Sequence, residues 1–113
     1  MQYVLLVCGD DSEQLTEEES AERYAAFEAA QAEMEVRGVF RDRRRLRPTS
    51  MAKTVRRRNG ELVLSDGPFA ETKEQIAGYD IIDCADLDEA IEVASKHPVA
   101  RFGRIEVRPF WVD

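Results

Sequence analysis

Histidine occurs once in this chain, tryptophan once and cysteine twice. One imidazole and two distant thiols, Cys8 and Cys84, make a poor ligand set, so no metal site is expected. Both thiols sit inside apolar runs without a CxxC spacing, which suits small buried hydrophobes in a reducing compartment. Long apolar runs are also missing. The longest, Tyr3 to Cys8, is far too short to cross a bilayer. Only Met1 and Gln2 precede it, which is no signal-peptide layout; the expected location is cytoplasmic, with no membrane partner. The sequence holds no Gly-rich phosphate loop and no serine nucleophile turn, and no cofactor is expected.

Charge is abundant but uneven. The net charge of −7 over 113 residues conceals a basic segment, residues 41–58, with nine arginines and lysines against Asp42 alone. That segment is +8 and the remainder −15. A basic patch can meet nucleic acid, yet no aromatic residue interrupts Arg41 to Arg58, so a stacking platform is lacking and nucleic acid is disfavoured as a partner. Pairing with the chain's own acidic helices, or with those of a second copy, fits better. With 43% hydrophobic and 35% charged residues, the chain reads as one soluble domain, 1–113, with one core.

The pattern of elements is legible. Tyr3 to Cys8 predicts a central strand. Thr16 and Glu19 have capping-box spacing, and Tyr24, Phe27, Gln31 and Met34 recur at helical intervals until Gly38 closes the helix. Val39 to Leu46 predicts an arginine-rich strand. Asn59-Gly60 between Thr54–Arg58 and Glu61–Leu64 predicts a tight hairpin. Gly78 to Cys84 predicts a strand, followed by a helix opened by Asp86, with Leu87, Ala90, Ile91 and Ala94 as its buried stripe and Pro98 past its end. Arg104 to Arg108 alternates, which directs Ile105 and Val107 to the core. With the hairpin set aside, the order is βαββαβ, an α+β ferredoxin-like plait with both helices on one face of an antiparallel sheet. The other face must be polar or covered by a partner. Phe110-Trp111-Val112 suits either a dimer interface or packing back on the sheet.

Between the hairpin and the next strand runs Ser65-Asp66-Gly67-Pro68-Phe69-Ala70-Glu71-Thr72-Lys73-Glu74. Asp66 caps, Gly67 accepts positive φ and Pro68 fixes the next φ. With Gln75-Ile76-Ala77-Gly78-Tyr79 behind it and Met1 to Val7 at the start, this run resembles the YCII-related family in its DGPF branch. Asp86-Leu87-Asp88-Glu89-Ala90 and Ile105 to Pro109 extend the resemblance over essentially the whole chain. The resemblance implies a ferredoxin-like domain that dimerises through its sheet, a suspected enzymatic role built on a histidine and an aspartate, and a link to sigma-factor-like regions. In that family the histidine lies on the first helix and the acid precedes a proline after the second. Here the first helix offers Tyr24 instead, and His97 precedes Pro98.

The candidate site follows from these residues. His97, at a helix end, reads either as a terminus stabiliser or as a general base oriented by Asp66. Lys73 reads as an anchor for a small anionic ligand or as a surface ion pair. Arg43 and Arg45 alternate and suit a clamp on a carboxylate or phosphate; Tyr24 is a further binding candidate, and Phe69 reads as a core plug. Three functions stand open. One is a dimeric enzyme or ligand-binding domain near Asp66 and His97. A second is an accessory module in transcription regulation acting through protein contacts, and the third, nucleic-acid binding, ranks last.

Overall fold

The computed structural model describes residues 1–112. Its elements are β1 (Gln2–Gly9), α1 (Glu17–Val36), β2 (Phe40–Arg45), β3 (Lys53–Arg58), β4 (Glu61–Asp66), β5 (Gln75–Asp83), α2 (Leu87–Ser95) and β6 (Arg104–Pro109). Short 3-10 turns stand at Thr49–Met51 and Pro98–Arg101. The protein is α+β, with two helices and antiparallel sheets. Four strands form one sheet in the order β2-β5-β1-β6, while β3 and β4 form a separate two-stranded arm. This order is consistent with the plait expected from the sequence.

The local signals act as their chemistry requires. Thr16 accepts from the Glu19 amide, and the Glu19 carboxylate accepts from the Thr16 amide, each at 3.1 Å. At the other end of α1, Gly38 has φ 75°. Its amide donates to the Glu35 carbonyl and that of Val39 to the Met34 carbonyl, the paired bonds of a Schellman ending. Asn59 and Gly60 turn the arm at φ 50° and 79°. In α2 the Asp86 side chain accepts from the Glu89 amide.

The core lies between the helices and one sheet face. It gathers Tyr3, Leu5, Met34, Val39, Ile82, Cys84, Ala90, Val93 and Ala94, with Phe40, Ile105 and Val107 packed against it. Two expectations about packing are corrected. The buried stripe of α2 is Ala90, Val93 and Ala94, whereas Leu87 and Ile91 are exposed, because the helix leans on the sheet one position further round. Phe69 is 88% exposed and plugs nothing.

The four-stranded sheet has a bulge at Arg41, where Phe40 opposes Ile82 but Asp42 opposes Ile81. The extra residue shifts the phase of β2, so Phe40 and Arg43 both face the helices. The far face carries Val4, Leu6, Tyr79 and Ile81, half-buried, and no element among the described residues covers it. The arm also stands away from the body: all of β4, and all of β3 except Thr54, is exposed. The radius of gyration, 16.2 Å, accordingly exceeds the roughly 13 Å of a compact chain of this length.

Gly103 marks the tightest approach. A Cβ there would lie 2.2 Å from the Cys8 carbonyl oxygen and 2.9 Å from Val99 Cγ1. Gly103→Ala is expected to lower urea-unfolding stability by about 1–3 kcal/mol; an unchanged midpoint would mean that the start of β6 gives way freely.

Candidate functional site

Two polar places stand out, one buried and one open. The buried one begins at Asp80, on the core side of β5 between Gly78 and Ile82, and only 1% exposed. A carboxylate there must be compensated. Arg43 donates to both its oxygens, Nε at 2.8 Å and Nη2 at 3.0 Å, and its remaining nitrogen donates to the Phe27 carbonyl and Gln31 of α1. His97 Nε2 lies 3.4 Å from the second Asp80 oxygen. Burial alone would push the Asp80 carboxyl up, but the hydrogen bonds from His97 and Arg43 and the Arg43 charge outweigh it and hold the group below its ordinary value.

His97 is 5% exposed, just past the C-cap of α2, and its Nδ1 accepts from the Val99 amide at 3.1 Å. That bond puts the proton of the neutral ring on Nε2, facing Asp80. Both nitrogens are therefore committed inside the chain, and the ring packs 5.9 Å from that of Phe27. The imidazole caps the 3-10 turn and leaves no lone pair for a substrate.

The open place is a cleft of about 400 Å³ at the base of the arm. The β1–α1 loop supplies Asp10, Asp11 and Ser12, the 3-10 turn Thr49 and Ser50, and the segment after β4 Gly67, Pro68, Glu71, Thr72, Lys73 and Gln75. Its walls are tied together. The Thr49 amide donates to Asp11 and the Ser12 amide to Asp10, at 2.9 and 3.0 Å. The Gly67 amide donates to the Ala52 carbonyl, and the Thr54 hydroxyl donates to the carbonyl of Gly67. Gln75 Nε2 donates to the carbonyls of Ala70 and Thr72. Gly67 has φ 94°, a conformation that any side chain would strain. The Ser12 hydroxyl bond, followed by its amide bond, lowers the Asp10 pKa.

The sequence-predicted residues are thus dispersed. Lys73 lines the cleft. Asp66 points away, its side chain 87% exposed and paired with Lys53. His97 takes Asp80, so the expected Asp66–His97 pair is not formed within the chain. Tyr24 is exposed on α1, its hydroxyl bonded to Glu28, which raises its pKa. Arg45 is exposed at the end of β2. Arg43, expected beside Arg45 as a clamp on a ligand, instead grips the chain's own Asp80 carboxylate, and Arg45 takes no part. Asp80 was missed although a signal existed: it shares the phase of Ile82 and Cys84, so an acid stood on the buried side of an apolar strand. Among the described residues no cluster of three or more histidine, cysteine or acidic side chains is arranged to hold a metal ion, and no helix is long and apolar enough to cross a membrane.

Arg43→Met would strand the Asp80 carboxylate, and a loss of about 3–5 kcal/mol is expected in urea unfolding. Adding Asp80→Leu should restore much of it. Because the folded pKa of Asp80 is depressed, its contribution is complete above the unfolded value near 4 and lost as pH falls through the folded one. Asp80→Asn should therefore show a shallower loss of stability below about pH 4 than the native chain; equal slopes would remove Asp80 from the acid response.

Comparison with known proteins bears on the same residues. Residues 1–112 match the YCII-related domain. The uncharacterized protein R00369 of Rhizobium meliloti (strain 1021) is 40% identical over 113 residues, covering 96% of this chain and 91% of that protein.

Proposed function

The chain belongs to the YCII-related domain family, and from that premise we propose that it is a dimeric small-ligand-binding domain, with the ligand held in the cleft at the base of the arm. The observation that carries this reading is the cleft itself. Its walls come from three separate segments, yet backbone and side-chain hydrogen bonds tie them before any ligand arrives, the condition under which little ordering cost remains to be met on binding. Gly67 and Pro68, inside the run that resembles the DGPF branch, line one wall.

The lining argues for the kind of ligand. Asp10, Asp11 and Glu71 oppose Lys73 alone, so a small anion would meet three carboxylates for one ammonium. Hydroxyls from Ser12, Thr49, Ser50 and Thr72 surround them. A polyhydroxyl or amino-bearing molecule matches this set better than the anion first expected. A reaction run by His97 and Asp66 has less in its favour, since the first is enclosed and the second turned away.

The dimer is supported by the uncovered sheet face. Cross-strand registers define two rows, Asp42–Ile81–Val4–Arg108 and Arg44–Tyr79–Leu6–Glu106. Each row has an apolar centre, an acid at one edge and a base at the other. Two copies facing one another about a two-fold axis would set acids against bases along both edges, with four apolar side chains from each copy between them. The alternative function, an accessory module in transcription acting through protein contacts, draws on the same exposed apolar surface.

A thermal-shift screen of sugars, amino sugars, amino acids, amines and organic phosphates separates the two. A compound that raises the melting temperature of the native chain but not of Lys73→Ala or Ser12→Ala is expected, with Asp66→Ala responding as the native chain does. No response to any class would overturn the ligand reading and favour the accessory one.

A further inference from the structure

We infer that the β3–β4 arm of one copy seats on the C-terminal tail of a second copy, about a two-fold axis running across the strands. This rests on the sheet-face dimer proposed above and adds the direction of its axis.

The arm is amphipathic. Its register places Val55, Leu62 and Leu64 on one face with Lys53 and Arg57, and Thr54, Arg56, Val63 and Ser65 on the other. Val55, Leu62 and Leu64 are all exposed, and a two-stranded ribbon without packing is marginal in water. At the far end of the sheet, the tail Phe110-Trp111-Val112 is also exposed, Trp111 to 94%. It does not fold back on its own sheet. Each surface is apolar and uncovered, and the occupant that fits both is a second copy of this chain.

Their placement selects the axis. The arm is rooted beside Arg45, Gln75 and Gly9, whereas the tail leaves beside Gln2, whose carbonyl accepts from the Phe110 amide at 3.1 Å. Arm and tail therefore stand at opposite ends of the strands. A two-fold axis along the strands would keep each arm at the end away from the partner's tail. An axis across the strands exchanges the ends and brings arm and partner tail together. They are then offset by three strand spacings, about 14 Å, within the roughly 20 Å reach of a six-residue strand. Phe69, at the arm's base, and Trp111 would supply roughly 300–500 Å² of the roughly 800 Å² that each partner buries in a standard interface. The arm's positive charge and the body's negative charge favour the same docking over arm against arm.

Trp111 is the chain's one tryptophan and reports directly on the contact. The expected result is a dimer by sedimentation, with Trp111 emission blue-shifted from that of the urea-unfolded chain. Leu62→Asp with Leu64→Asp should weaken dimerisation by roughly tenfold or more and move emission to the unfolded value, while far-UV circular dichroism stays native. Val63→Asp, on the opposite face of the arm, should change neither. A dimer in which the Leu62/Leu64 variant leaves mass and emission unaltered would overturn the arm contact and leave the sheet-face dimer standing. A native chain that is monomeric at all concentrations would overturn both, and a Val63→Asp effect as large as that of Leu62/Leu64 would overturn the assigned face.

Discussion

A carboxylate placed in the core sets the terms for everything around it. Asp80 can remain ionised there only while donors reach it, and they come from different parts of the chain: the Arg43 guanidinium from β2 and the His97 imidazole from the segment after α2. Arg43 also grips α1 through the Phe27 carbonyl and Gln31. A single buried acid thereby ties together four elements that are distant in sequence. The arrangement matters because α1 buries little: Met34 is its one fully buried side chain. Surface pairs such as Arg37–Glu92 and Lys96–Glu33 add little to the fastening of α1 to α2.

Structural and functional polarity are separated in space. The buried cluster has its donors and acceptors matched internally, and no buried side-chain nitrogen or oxygen among the described residues lacks a partner. The cleft is the opposite case. Its scaffold bonds are satisfied, but the Lys73 ammonium, the Glu71 carboxylate and the hydroxyls of Ser50 and Thr49 line an open space that water or a polar ligand can fill. A histidine beside an aspartate is thus no sign of catalysis here; its second nitrogen is spent on a backbone amide.

The uncovered apolar surfaces form a third layer. A flat body of 49 × 45 × 18 Å has one sheet face open, an arm whose Val55, Leu62 and Leu64 are exposed, and a tail whose Trp111 is exposed, and exposed apolar side chains grouped in this way mark contact surfaces. The two-fold relation proposed here would cover all three at once.

The sequence by itself determined the elements, because their signals are local. The capping box at Thr16, the ending at Gly38, the Asn59-Gly60 turn and the alternation around Ile105 each depend on a few neighbouring residues, and each formed as its chemistry required. The loop after Asp66 was likewise legible as a built structure, though not the cleft it walls, since Asp10, Asp11 and Thr49 arrive from elsewhere in the chain. Only the tertiary structure decided the pairings. The bulge at Arg41 turned Arg43 inward to Asp80, the end of α2 brought His97 to the same carboxylate, and the register of the arm set Asp66 opposite Lys53. No periodicity reveals such a slip, because phase in a strand is fixed by the partner strand across the sheet and by the charge that must be met in the core.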